Sequence, residues 1–392
     1  MKISLISLNL NGAPFLENFL DSVHDEISSS PNTELILLDN GSTDHSISMV
    51  KQRYPWVRLI SLPRNMGFCI GCHVAAEASD ADFLVFLNND MVLEQGFVEE
   101  ILKPLESDKS IGISAGLVLN ETGKLIDYAG GDMNVFGWGF QRYHKLPLDE
   151  FENRPSKKQE KQFFGCGGAL AIRRNLWLES HGFDADYFAF FEDVDLGWRV
   201  NILGYRTVLA DKARVRHKHH GTALSMPQAL RTYLLERNAL ASVIKNYDDI
   251  TCAKILPWAI AMLNERALID SGTVTGRVFK GRWANEVFSD ECPWWKTDDL
   301  VDLKDSGKAG LKKAKDILTG EYSGKKLPVR HLALEHLFRN WDRITAKKNE
   351  VARTRKVDDS KIIKMMGEPF RTVLGHEREK YMMEMFKENV QL

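Results

Sequence analysis

The sequence predicts an α/β fold in which an open, mostly parallel sheet is followed by a C-terminal helical extension. Three observations carry this expectation. Over the first 125 residues, short apolar runs alternate with longer segments of mixed polarity, the order of strands covered by helices. Polar clusters follow directly after several of those runs, where the strand ends of an open sheet surround a crevice. From about residue 226 the pattern turns helical, and residues 301–392 are rich in mixed charges and Met without a repeat. The expected organisation is therefore a sheet domain over 1–225, a helical closing region over 226–300 and a helical accessory domain over 301–392.

Residues 3–8 form the first expected strand, followed by a loop at 9–14 and a helix from about Phe15. Further strands are expected at 34–38, 58–62 and 83–87, each an apolar run ending in polar or turn-forming residues. Residues 126–162 hold many Gly, aromatic and charged residues with no sustained period, which predicts irregular structure around a cleft. The small and apolar residues of 163–172 predict a closely packed strand whose glycines admit a neighbouring backbone or ligand. Residues 186–220 are a dense polar constellation, and 227–247 have helical character.

Composition narrows the function. A chain of 392 residues exceeds one ordinary hydrophobic core. With 44% apolar and 27% charged residues it has the composition of a folded protein. A net charge of −2 provides no bulk field for nucleic acid or anionic membrane. The N-terminus enters a strand pattern directly, without the features of a secretory signal, so a cytoplasmic location is expected. The apolar run 255–263 contains Pro257 and falls short of the roughly 20 residues of a membrane-spanning helix. Cys69 and Cys72 are read as helix packing in preference to a redox or metal pair.

Several polar groups are candidates for chemistry. In Asp39-Asn40-Gly41-Ser42-Thr43-Asp44, Asp39 can accept hydrogen bonds from a nucleobase or ribose, while Asp44 or Ser42 can cap the next helix. Arg64-Asn65-Met66-Gly67-Phe68 places a cation and an amide before a helix, suited to phosphate or to a plain helix cap. In Asn88-Asn89-Asp90, Asp90 offers oxygen to a hard divalent cation, and Asn88 can position ribose or water. Glu192, Asp193 and Asp195 lie between aromatic residues and a helix, surroundings that raise a carboxyl pKa and favour a general base; Asp193 is the preferred base. Helix capping is the alternative for that segment. Among Arg216-His217-Lys218-His219-His220, His217 is the preferred metal or diphosphate contact and His219 the second choice. Glu192, Asp195, His219, Arg231 and Arg237 are candidate acceptor or phosphate contacts, with Asn238 beside them.

Taken in order, these motifs resemble family 2 inverting glycosyltransferases, in particular bacterial enzymes that transfer rhamnose or related sugars during surface-polysaccharide assembly. The resemblance covers roughly residues 1–245. It runs through residues 3–12, the Asp39 turn, Arg64 to Phe68, Leu87 to Asp90, residues 165–174, Gly182-Phe183-Asp184, Glu192 to Leu196, His217 and the Gly221-Thr222 turn. It implies a GT-A-type nucleotide-sugar-binding sheet, a nucleoside-diphosphate sugar donor, Mg²⁺ or Mn²⁺, and inversion by one in-line displacement. It further implies base or ribose recognition by Asp39, ribose and metal contact by Asp90, acceptor deprotonation by Asp193, and metal or diphosphate contact by His217. Arg64, Asn65 and Asn88 fall in its nucleotide-binding elements. Asn88-Asn89-Asp90 departs from the family pattern of two acids flanking one residue, which implies sparse protein coordination, with diphosphate and water filling the metal shell.

The expected acceptor is a glycan or lipid-linked glycan, and nucleic acid is not an expected partner. For the tail, the expectations are shaping of the acceptor pocket, a homo-oligomer contact, or peripheral contact with the cytoplasmic face of a membrane. The competing readings are a noncatalytic nucleotide-sugar-binding or assembly protein, and a hydrolase that transfers the sugar to water.

Overall fold

The computed structural model describes residues 1–391 except 31, 156–159, 219–225, 271–320, 323–324 and 327–328. Four strands form its parallel half, three buried and one at the exposed edge: β1 (Ile3–Asn9), β2 (Thr33–Asp39) and β4 (Phe83–Asn88), with β3 (Arg58–Ser61) at the edge. The helices α1 (Ala13–Ser28), α2 (Ser46–Arg53) and α3 (Phe68–Glu77) connect them. These strands match the sequence expectation to within a residue or two at each end.

The other half of the sheet was less legible. After β5 (Met91–Leu93) and α4 (Phe97–Ser107) comes β6 (Ile111–Asn120), which is buried along nearly its whole length. The region expected to be irregular contains β7 (Ile126–Tyr128), β8 (Gly131–Met133), β9 (Gly139–Gln141), α5 (Leu148–Glu152) and β10 (Lys161–Gln162). The strand expected at 163–172 is shorter: β11 (Ala169–Arg173) starts only at Ala169, and the residues before it are loop that lines the cleft. After α6 (Arg174–Glu179) and α7 (Glu192–Ile202), β12 (Arg206–His217) is the longest strand among the described residues. The spatial order is β10-β12-β6-β11-β4-β1-β2-β3, with β5 on β12 and β7 on β6. Only β11 runs against its neighbours β4 and β6 within the central run, while β6 and β12 are parallel.

Register decides what meets at the strand ends. Asn9 lies beside Asp39, and Leu8 beside Asn88, so three polar strand ends share one edge. The antiparallel β11 brings the loop before Ala169 to that edge, because Ala169 pairs with Leu87. His217 pairs with Met91 and with Asn120, which sets it next to Asp90.

The C-terminal helices α8 (Gln228–Asn246), α9 (Asp249–Asp270), α10 (Val329–Arg339), α11 (Trp341–Thr354), α12 (Asp359–Met365) and α13 (Glu377–Asn389) pack on one another, and α8 and α12 pack on α7. One buried apolar cluster extends from Ile3 to Phe386. Cys69 and Cys72 are buried on α3 as unpaired thiols, in keeping with helix packing. Residues 255–263 lie inside α9, and no helix among the described residues is long and apolar enough to cross a membrane.

Charge as well as oil joins the helices. Arg266 on α9 makes two 2.8 Å bonds to the two carboxylate oxygens of Glu236 on α8 and a 3.2 Å bond to Glu379 on α13. Arg330 on α10 bonds the same Glu236. All four side chains are buried. The bidentate geometry offsets the desolvation of these ions, but only while the set is complete. Arg266→Met is therefore expected to lower the unfolding free energy by about 3–5 kcal/mol in urea titrations. Lys103→Met, which breaks exposed pairs with Glu99 and Glu100, should leave the midpoint nearly unmoved.

Candidate active site

The strand-end edge is organised by asparagines. The Asn9 amide donates to Asp39 at 3.3 Å, Ser42 Oγ at 3.0 Å and Ser46 Oγ at 2.9 Å, and its carbonyl accepts from Asn89 at 2.9 Å. It thereby joins the ends of β1, β2 and β4. Asp39 is buried and its carboxylate accepts the Ser42 N–H, so it underpins the turn. Asn40 donates to Asn65 Oδ1 at 3.0 Å and to the Gly67 carbonyl at 3.1 Å, and accepts the Met66 N–H at 2.8 Å. Gly41 has φ +80°, and a Cβ there would fall 2.4 Å from Arg64 Cα, so glycine alone permits the two loops to touch.

Asp90 and His217 form the next group. His217 Nε2 is 3.3 Å from Asp90 Oδ2, and Nδ1 is 2.8 Å from Asp127 Oδ2 on β7. Burial opposes charge on this imidazole, yet the two flanking carboxylates raise its pKa to about 9. Asp90 Oδ1 is buried and has no hydrogen-bond partner among the described residues. An orphaned carboxylate oxygen beside an imidazole nitrogen fits part of a divalent-cation shell, with room for ligand oxygens. No group of three or more His, Cys, Asp or Glu side chains with metal-binding geometry occurs among the described residues.

The carboxylates of α7 face the same space. Asp193 Oδ2 accepts the Gly167 N–H at 3.0 Å, and Oδ1 accepts the Val194 N–H at 2.8 Å. Glu192 is buried, and its Oε2 has no hydrogen-bond partner among the described residues. Burial first, and then the neighbouring charge of Asp193, pushes Glu192 up to about 8; burial also raises Asp193, opposed by its two backbone donors. The pair is thus asymmetric: Glu192 keeps its proton near neutrality, while the backbone donors on Asp193 favour its charged form. The helix carrying them is preceded by a turn in which Phe188, Phe190 and Phe191 have φ of +64°, +69° and +60°. Bulky residues in this region cost on the order of 1–3 kcal/mol each, so the surroundings must impose the turn.

These groups line one cavity of about 390 Å³, which includes Asn65, Asn88, Asp90, Glu192, Asp193 and His217 among the expected site residues. Asn9, Asn40, Cys166, Gly167, Phe188 and Phe190 complete much of its wall. The other expected residues sit elsewhere. Asp39 lies beneath the lining, and Arg64 directs its Nε to Met66 Sδ at 3.2 Å. Asp195 is fully buried on Arg199, Lys245 and Asn246; burial alone would raise its carboxyl, but the Arg199 and Lys245 charges hold it below the ordinary value. Arg237 turns to Asn238 and the Tyr187 carbonyl, at 2.8 and 2.5 Å. Arg231 is on the first turn of α8, outside the lining. His219 lies outside the described residues. Asp127 escaped the sequence reading; its signal was a lone acid within the apolar run around Ile126 and Tyr128.

Residues 4–178 match the family model described as Glycosyl transferase family 2. N-acetylglucosaminyl-diphospho-decaprenol L-rhamnosyltransferase of Mycobacterium tuberculosis (strain ATCC 25618 / H37Rv) is 26% identical over 240 residues, covering 56% of this chain and 77% of the relative. Rhamnosyltransferase WbbL of Escherichia coli (strain K12) is 24% identical over 183 residues, covering 44% and 68% respectively. The crystal structure of GalNAc-T7 with UDP, GalNAc and Mn²⁺ superposes with a TM-score of 0.53 at 16% identity, over 75% of this chain and 58% of that one. The fold is accordingly GT-A-like, a mostly parallel open sheet with C-terminal helices.

The raised Glu192 pKa has a consequence for stability. The unfolded carboxyl releases its proton near the ordinary 4.5 and the folded one near 8. The stability linked to this proton is therefore full below the first value and is lost as pH rises through the second. Glu192→Gln should gain thermal stability relative to the parent as the pH goes from about 5 to about 8, by up to about 1.4 kcal/mol per pH unit. Melting curves across that range provide the check.

Proposed function

We propose that this family 2 glycosyltransferase, which resembles bacterial rhamnosyltransferases, transfers a sugar with inversion from a nucleoside-diphosphate donor to a hydroxyl of a glycan or lipid-linked glycan. The carrying observation is that Asp193, whose carboxylate accepts two backbone N–H groups, lines the same cavity as Glu192, Asp90 and His217. A base and an anion-neutralising site in one cavity are the two requirements of an in-line displacement at an anomeric carbon.

In this reading Asp193 takes the proton of the acceptor hydroxyl as that oxygen bonds to the anomeric carbon. The bond from that carbon to the diphosphate oxygen breaks on the opposite face, and the electron pair leaves with the nucleoside diphosphate. The backbone N–H groups of Gly167 and Val194 orient the base. Glu192, neutral at the same pH, is suited to donate a hydrogen bond to a sugar hydroxyl. Asp90 and His217 would hold Mg²⁺ or Mn²⁺, which when bound neutralises the diphosphate charge. Asn88 has the placement to contact ribose, while Asn40 and Asn65 shape the wall toward the nucleotide. Asp39 and Arg64 support these loops from behind the lining.

The printed name of the mycobacterial relative specifies a diphospho-decaprenol carrier, which supports the lipid-linked form of the acceptor. The corresponding location is the cytoplasm, including the cytoplasmic face of a membrane. In this reading the helices beyond residue 226 close the acceptor side.

With a panel of nucleotide sugars and glycan acceptors, transfer should yield the inverted anomer. Asp193→Asn should lower kcat on the order of 10²–10⁴-fold while keeping donor affinity. Turnover that survives this substitution would assign the base elsewhere. Chelation should abolish transfer and Mn²⁺ or Mg²⁺ restore it, with Asp90→Asn requiring more metal for half-maximal rate. Full activity after exhaustive chelation would remove the cation from the account.

A further inference from the structure

Asn238, on α8, is fully buried and outside the cavity lining. Its carboxamide nitrogen donates toward three carbonyl groups of the turn before α7: Tyr187 at 3.2 Å, Ala189 at 3.0 Å and Phe190 at 2.6 Å. Its oxygen accepts from Arg237 Nε at 2.8 Å, which fixes the orientation of the amide. Arg237 also donates to the Tyr187 carbonyl at 2.5 Å. On the other side of the same turn, the Phe188 carbonyl accepts the Phe68 N–H at 2.6 Å at the start of α3. Thus the left-handed backbone at Phe188, Phe190 and Phe191 is held from two helices, and α7 begins where that turn ends.

We propose that Asn238 is the positioning residue for Asp193: by fixing the carbonyls of the 187–190 turn it sets where α7 presents the base to the acceptor. This rests on the assignment of Asp193 as the base. Asn238 touches no reacting atom in this account. Its effect is geometric, and an error of about 1 Å in the base is enough to cost on the order of 10²-fold in rate.

The test uses the full chain and follows kcat and donor KM separately. Asn238→Asp keeps the volume but replaces the donating N–H groups with oxygen facing three carbonyls. It should lower kcat by about 10²-fold, with donor KM within about threefold of the parent. Asn238→Ala should behave similarly. Adding Phe191→Gly to it removes the steric penalty of the left-handed backbone and should restore at least about tenfold of the lost kcat. A contribution to packing alone would instead lower the melting temperature without separating kcat from KM, and glycine would restore nothing; that result overturns the proposal. Parental kcat in both Asn238 variants overturns it as well. If those variants are impaired but Asp193→Asn turns over normally, the base assignment fails instead. The glycine-containing double variant has less strain to support, so a misfolded Asn238→Asp does not remove the test.

Discussion

Two carboxyl groups placed side by side at one cavity wall oppose each other's charge, and the site is built around how that conflict is resolved. Asp193 receives two backbone N–H groups, whereas Glu192 keeps one oxygen without a hydrogen-bond partner among the described residues. Glu192 is the more deeply buried of the two, and burial together with the neighbouring charge of Asp193 separates their proton affinities, so near neutrality Glu192 stays neutral. Asp195, two positions on, shows the opposite solution: Arg199 and Lys245 compensate it fully, which makes it a structural ion. Three acids within four positions therefore have three electrostatic fates, each set by what packs against the side chain.

Delivering this pair to a ligand depends on sheet register. The ends of β1, β2 and β4 lie at one level, the antiparallel β11 returns Gly167 to that level, and β12 carries His217 alongside Asp90. The C-terminal helices extend the same construction. Lys347 on α11 bonds Asp184 and Asp186, and the backbone N–H groups of Lys356 and Val357 bond the Ile202 carbonyl at the end of α7. The tail thus braces both ends of the segment that carries the carboxylates.

β1, β2 and β4 were legible because strands buried on both faces appear as continuous apolar runs bounded by turn residues, and the edge strand β3 because a short apolar pair stands between turn residues. The longest strand was hidden. In β12, charged Arg214 and Arg216 alternate with apolar residues, and the register shifts between Ala210 and Arg214 where Asp211 and Lys212 interrupt the apolar pattern. The cavity residues Asn65, Asn88, Asp90, Glu192, Asp193 and His217 could be named because each sits in a compact motif near an element boundary. Asp127 could not, since its contact with His217 requires β7 and β12 both to pair with β6. Arg237 and Asn238 stood out as polar residues on a helix, but the sequence does not state which way that helix faces. Packing turns them toward the aromatic turn, outside the cavity lining.

The central claim is that near neutral pH the buried pair holds one proton, on Glu192, leaving Asp193 ionised. Infrared difference spectroscopy on protein with isotopically labelled carboxyl carbons measures this directly. The account predicts a protonated-carboxyl band at neutral pH that disappears in Glu192→Gln and persists in Asp193→Asn. A band that persists in Glu192→Gln and is lost in Asp193→Asn would contradict it, as would the absence of any protonated carboxyl.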